Sequence, residues 1–306
     1  MVSRTIKRSK AINRLLTSIL LVLVILIAVL VSLLFITRSA GERGSDAESS
    51  NEVSTTGNKT SKSSPAKIDF QPVVDDWANS TSGDKGIAIF DLDRNELLAS
   101  YNNYKHFDTA SLYKLFVVYE GYRRVQSGEW DGGELTGQMD KTILKCLDLA
   151  IRESNSTCAE AIWGMIGRKE LDRIVRDELK IKHTDVSALS SNVNDITLMM
   201  KIFYRHKQIT DDKLVEQLED SFLNQPTTEY DWRQGLPSGF EKANVYNKVG
   251  WDYNSEEKNW NLYHDASIVE FPDDNRHFIV VVMTSHIAPN KIAELGRSIE
   301  AKYLSQ

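Results

Sequence analysis

Apolar positions along the chain change their period several times, and each change marks an element. From Leu15 to Ile36 there is no period at all: Leu, Val, Ile, Ala and Phe follow one another, with only Thr17, Ser18 and Ser32 as polar members. As a helix this run would extend roughly 33 Å, enough to cross a bilayer. From Arg38 to Lys67 the chain is Ser, Thr, Gly, Asn and isolated charges, with Val53 as the single large aliphatic residue, so it cannot bury enough surface to fold. Strand-like runs begin at Gly86–Asp91 and Glu96–Tyr101, joined by the turn Leu92-Asp93-Arg94-Asn95. Between Leu112 and Leu223 the spacing is largely helical, best seen over Leu112–Val125, Ile143–Ile151, Thr157–Ile166, Glu170–Leu179 and Ile196–Tyr204. Strands return at Ala243–Val249, Leu262–Phe271 and Phe278–Thr284, and Pro289–Tyr303 closes the chain as an amphipathic helix. Strands, helices, strands and a helix without βα alternation predict an α+β domain over 69–306. Its antiparallel sheet would come from both chain ends, with an all-helical subdomain inserted and one transmembrane helix in front.

Charge orients the N-terminal part. Arg4, Lys7, Arg8, Lys10 and Arg14 precede the apolar run without an acid among them, whereas Arg38 and Arg43 beyond it are mixed with Glu42, Asp46 and Glu48. Residues 1–14 are therefore expected in the cytoplasm, 15–37 in the cell membrane as a single span, 38–68 as a tether, and the folded domain outside. The apolar run exceeds the roughly 7–15 residues of a signal-peptide core, and Arg38–Gly41 makes a poor cleavage site, so a retained anchor is expected rather than a cleaved leader.

Composition removes several classes of function. With a net charge of -6 and 41% hydrophobic residues, the chain is neither a basic nucleic-acid binder nor a disordered polyanion. The six His residues never recur at zinc-ligand spacing, and no phosphate loop, dinucleotide turn or nucleophile elbow is present, so no metal or cofactor is expected. Cys146 and Cys158 lie on the helices flanking Ser154. A helical hairpin would let them bridge outside the membrane; the alternative is two buried thiols.

The stretch Thr109-Ala110-Ser111-Leu112-Tyr113-Lys114 carries the most chemistry. Ser and Lys three apart on a helix meet across one turn, where a neutral amine can take the hydroxyl proton. The same spacing occurs at Ser64/Lys67, Ser82/Lys85 and Ser255/Lys258, in polar sequence. Only Ser111 opens an apolar helix, where the positive dipole end favours an anion and burial lowers a Lys pKa.

Ser111-x-x-Lys114, then Ser154-Asn155-Ser156 before a helix, then Lys248-Val249-Gly250 on a late strand resemble the serine β-lactamase and penicillin-binding protein superfamily, in particular the class A catalytic domain. The resemblance implies Ser111 as the acylated nucleophile, Lys114 as its proton acceptor and Ser154 as proton relay to the leaving nitrogen. Lys248, with Gly250 and Ser156, would bind substrate, and Lys248 would repel a proton from Lys114. The backbone N–H groups of Ser111 and Trp251 would form the oxyanion hole. The implied partner is a β-lactam or a peptidoglycan-type substrate.

The departures from the pattern carry expectations of their own. Asn155 replaces an acid, Ser156 an amide, and Val249 a hydroxyl that would share the substrate carboxylate. Class A members activate the deacylating water with a loop Glu, and the corresponding stretch Ile181–Asn192 has none. Asp185 is its only carboxylate and reaches less far, so acylation followed by slow release is expected. The competing reading is a non-catalytic binding or sensor module on the same fold. His264-Asp265 lies on a strand, where neighbours face opposite ways, and is read as structural. Trp251, Tyr253 and Trp260 either line a substrate cleft or pack at the sheet edge.

Overall fold

A computed structural model describes residues 67–137, 140–206, 209–225 and 232–306, all within the compact unit Pro65–Gln306. The first helix, α1 (Gln71–Ser80), carries Pro72 in its first turn, where a missing N–H leaves no bond unmade. Strands β1 (Asp84–Asp91) and β2 (Glu96–Tyr101) follow as an antiparallel hairpin. Next come β3 (His106–Asp108), a 3-10 turn at Ala110–Leu112, and α2 (Tyr113–Gln126). The helical block continues through α3 (Ile143–Arg152), α4 (Ser156–Ile166) and α5 (Arg168–Arg173), which widens into a π-type turn at Ile174–Glu178. After β4 (Ser190–Asn192) come α6 (Val193–Tyr204) and α7 (Asp212–Leu223). A 3-10 turn at Leu236–Gly239 leads into β5 (Asn244–Asn254), β6 (Asn259–Phe271), β7 (Arg276–Ser285) and the closing helix α8 (Pro289–Leu304).

The main sheet runs β2-β1-β7-β6-β5, antiparallel at every step, so the last strand sits beside the first. Strand β7 shows why: it is apolar on both faces. Ile279, Val281 and Met283 join the core with Phe116, Leu147 and Ile196 of the helical block. Phe278, Val280 and Val282 join a second core behind the sheet, with Phe70, Trp77, Ile292 and Leu295. Each such buried side chain contributes about 1.5–3 kcal/mol, so a central strand covered on both faces fixes the register of its neighbours.

The α+β class and the sheet built from both chain ends are as expected, with three corrections. The inserted block is not all helical, because β3 and β4 pair as a small second sheet, His106 opposite Asn192 and Asp108 opposite Ser190. Helix α1 has no counterpart in the sequence reading. The β5–β6 hairpin extends to Asn254 and Asn259 because Trp251, Tyr253 and Trp260 pair and stack across it. The expected segments 1–14 and 15–37, and the tether up to residue 66, lie outside the described residues. Among the described residues no helix is long and apolar enough to cross a membrane.

Candidate active site

Ser111 sits in the 3-10 turn that feeds α2, and three backbone contacts hold that turn. Ala110 N–H donates to Asp108 Oδ1 at 2.7 Å, Thr109 N–H donates to the Leu189 carbonyl at 2.7 Å, and His264 Nε2–H donates to the Asp108 carbonyl at 2.7 Å. These contacts hold Ala110 at φ 43°, a left-handed conformation that costs a non-Gly residue about 1–3 kcal/mol. His264 is buried and Thr284 N–H donates to its Nδ1 at 3.0 Å, so both ring nitrogens are matched only in the neutral form; burial pushes its pKa down to about 4. Asp265 faces the other side of β6, accepting from Leu236 N–H at 2.9 Å, which agrees with a structural role for the pair.

Every residue of α2 from Tyr113 to Tyr122 is buried, so Lys114 enters the protein on a helix surrounded by core. Its Nζ donates to Ser111 Oγ at 3.0 Å, Ser156 Oγ at 3.0 Å, Ser154 Oγ at 3.2 Å and the Ser154 carbonyl. Ser154 turns the α3–α4 loop at φ 52°, and Asn155 caps α4 by accepting from Cys158 N–H at 2.9 Å. A disulfide joins Cys146 to Cys158 across this loop, with the Cα atoms 4.8 Å apart. From the sheet side, Lys248 Nζ donates to Ser154 Oγ at 2.9 Å and to the Val249 carbonyl at 2.7 Å. Ser154 Oγ is thus shared by two amines, and it can pass on a proton when one of them is neutral.

Burial lowers the Lys114 pKa to about 8, against the nearby charge of Glu160, which raises it. Lys248 is pushed well below its ordinary value, first by burial and then by Lys114. Desolvation is the larger cause at both amines, and the repulsion between Lys114 and Lys248 acts in the same direction on the pair. Gly250 lies against the turn that carries Ser111: a Cβ there would stand 2.6 Å from the Thr109 carbonyl and 3.1 Å from Ser111 N. That approach brings the Ser111 amide beside the strand carrying Trp251. The Val249 side chain points the opposite way, into the core behind the sheet.

The geometry adds a carboxylate absent from the sequence reading. Glu160 follows Ser156 by four residues on α4, one turn along the same face. It accepts from Tyr113 Oη at 3.0 Å and from Arg168 at 2.6 Å, and the Arg168 guanidinium lies 3.9 Å from the Trp163 ring centre. Asp185, by contrast, is exposed and accepts from Ala188 N–H at 2.9 Å, capping its own turn. It lines an open cavity with Lys169, Asp172 and Arg176 whose walls include neither Ser111 nor Lys114. Its loop meets the Ser111 turn through the Leu189 carbonyl and through the pairing of β4 with β3, not through Asp185 itself. Trp251 stacks on Trp232 at 5.5 Å and meets Trp260 at 5.8 Å, so these aromatics pack against one another at the end of the hairpin.

Comparison with known proteins agrees with this fold. The profile of the beta-lactamase enzyme family matches residues 69–303. A β-lactamase from Chitinophaga pinensis superposes with a TM-score of 0.65 at 15% identity, over 75% of this chain and 97% of its own. A class A β-lactamase representative from Bacteroides cellulosilyticus gives 0.65 at 16% identity, over 76% and 96%. The protein PBP-A gives 0.64 at 16% identity, over 79% and 99%. No curated protein matches the chain in sequence.

Proposed function

The chain belongs to the beta-lactamase enzyme family, and from that premise we propose that it is a serine acyl-transfer enzyme, acylated at Ser111 by β-lactams or cell-wall peptides and slow to release the acyl group. The observation that carries this reading is the 3.0 Å contact from Lys114 Nζ to Ser111 Oγ at a lysine whose pKa burial brings down to about 8. A neutral Lys114 takes the Ser111 proton as Oγ attacks the amide carbon. The amides of Ser111 and Trp251 hold the oxyanion, and Ser154, fed by its contacts to both lysines, protonates the leaving nitrogen. Lys248 supplies positive charge for a substrate carboxylate. Among the described residues no carboxylate hydrogen-bonds to Ser111, Lys114 or Ser154, which supports slow deacylation.

That same lack favours a second reading, a sensor whose long-lived adduct is the signal. In both, the apolar run Leu15–Ile36 anchors the domain outside the cell membrane. Protease added to intact cells should then remove the folded part and spare the N-terminus. The deciding experiment is intact-protein mass spectrometry of the full chain over a time course with benzylpenicillin. A burst of adduct that persists is expected, abolished by Ser111→Ala and greatly slowed by Lys114→Ala. Rapid hydrolysis without accumulation would overturn slow release, and neither adduct nor hydrolysis would leave a non-covalent binding module.

A further inference from the structure

A second cavity, of about 250 Å³, opens between the C-terminal end of α6, helix α7 and strands β5 to β7. It lies on the same sheet face as Lys248, since Tyr246 in its wall is two residues from Lys248 along β5. Its walls are aromatic: Phe203, Tyr204, Phe222 and Tyr246 line it, with Phe203 and Phe222 edge to face at 5.2 Å. Its charges are of one sign. Among the described residues Glu219 and Glu270 line the cavity and no Lys or Arg does; His206 and His277 complete the polar part.

Neither carboxylate is neutralised by a permanent cation among the described residues. Glu270 Oε2 accepts from Tyr246 Oη at 3.2 Å and from Asn244 Nδ2 at 3.3 Å, while His277 Nε2 stands 3.9 Å from Oε1, beyond hydrogen-bond reach. Glu219 Oε1 faces His206 Nε2 at 3.2 Å. The far side of His277 faces Asp93, a further acid, at 3.4 Å. Burial first, then the charges of Glu270 and Glu219, push the Tyr246 hydroxyl up to about 12, so it remains a donor and both carboxylates act on the same wall.

Aromatic walls with two carboxylates that have histidines, and no Lys or Arg among the described residues, as their basic neighbours attract a cation, and the size and ligand set decide which. Among the described residues no group of three His, Cys, Asp or Glu could hold a metal ion. The volume falls below the roughly 300–1,000 Å³ of pockets for drug-sized ligands. A compact organic cation, whose methyl groups contact ring faces while its charge is met by carboxylates, satisfies both limits. We propose that this cavity binds a small alkylammonium ion of the choline class, at a site separate from Ser111.

The probe is choline, with its neutral carbon isostere 3,3-dimethyl-1-butanol, titrated into the full chain in detergent at constant ionic strength and read by calorimetry and ligand-observed NMR. Saturable choline binding is expected, at least about tenfold tighter than the isostere. It should weaken at least about tenfold in the Glu219→Gln/Glu270→Gln protein, weaken in Tyr204→Leu, and be unchanged by Ser111→Ala or by prior penicillin treatment. If the double variant unfolds, Tyr204→Leu decides. Equal affinity for the isostere, no saturable binding, undiminished binding in the variants that fold, or loss on Ser111→Ala would overturn the proposal. None of these readouts depends on whether Ser111 is acylated, so the proposed reaction can fail without deciding this one.

Discussion

A methyl group on Gly250 would stand 2.6 Å from the carbonyl oxygen of Thr109, closer than carbon and oxygen can approach. The third motif thus abuts the nucleophile turn, backbone against backbone, and Gly is there because any Cβ would separate them. In Gly250→Ala either β5 retreats or the turn tilts, and the Ser111 and Trp251 amides no longer converge. Penicillin acylation is expected to fall about 100-fold, as when an oxyanion donor is lost, with about 1–3 kcal/mol of destabilisation from overpacking. Labelled-penicillin kinetics and a thermal melt measure the two effects; acylation at the unmodified rate would show that Gly250 does not set this distance.

The disulfide between Cys146 and Cys158 closes the segment that carries Ser154, and both residues are fully buried. Closing a loop of this size contributes about 3 kcal/mol in the chain-entropy view. Denatured but unreduced protein should therefore resist thiol labelling, and reduction should expose both sites. The Cys146→Ala/Cys158→Ala protein should lose about 2–4 kcal/mol in urea unfolding and acylate more slowly, since Ser154 loses its tether. Free thiols before reduction would refute the bridge.

Asp265 gives a stability signature at acid pH. Burial raises its pKa from 3.8 to about 6, against the bonds it accepts from Ser267, Leu236 and Asn247. A carboxyl raised on folding contributes stability that is complete below the unfolded pKa and lost as pH rises through the folded one. From about pH 4 to 7 the natural protein should lose roughly 3 kcal/mol relative to Asp265→Asn, which carries no titrating group. Urea unfolding of both proteins at the two pH values tests this, and parallel behaviour would mean that Asp265 does not titrate in this window.

Much of this architecture is legible in the sequence, for identifiable reasons. Strands β1 and β7 declare themselves through apolar runs because they are buried on both faces, and β2 through the turn Leu92-Asp93-Arg94-Asn95 that joins it to β1. Ser111, Lys114, Ser154 and Lys248 are legible because the three motifs that carry them resemble a known superfamily's in order and element type, and the fold brings the four side chains together. Helix α1 is not, since it is short and buries only Val74, Trp77 and Ala78, a single turn of i, i+3, i+4 spacing that gives a weak periodic signal. Helix α7 falls inside the stretch read as helical, yet its start at Asp211, which caps Lys213 and Leu214, went unused as a signal. Glu160 escapes for another reason: alone on a polar helix face it reads as solvated, and only the docking of α4 on α2 brings Tyr113 to it, while Arg168 reaches it from the start of α5. Its spacing from Ser156 was the available clue.

Glu160 yields the sharpest test of the proposed base. Burial brings Lys114 down to about 8 and the Glu160 charge holds it up, so acylation by the free amine should rise with pH around a midpoint near 8 and level off above it. Glu160→Gln removes the charge and should move that midpoint downward, by no more than about one pH unit, because Glu160 is partly exposed and the interaction is screened. At pH 7 a larger fraction of Lys114 is then neutral, so this variant should acylate faster than the natural protein, by up to about fivefold. Tyr113→Phe leaves the charge in place and should shift the midpoint less. Stability provides an independent check with its own sign. Between about pH 8 and 10.5 the unfolded chain keeps a proton on Lys114 that the folded protein has lost, so stability should rise with pH across that window, and Lys114→Met should reduce the slope. A midpoint that stays in place or moves upward in Glu160→Gln would mean that another group, with Lys248 the first to replace, accepts the Ser111 proton.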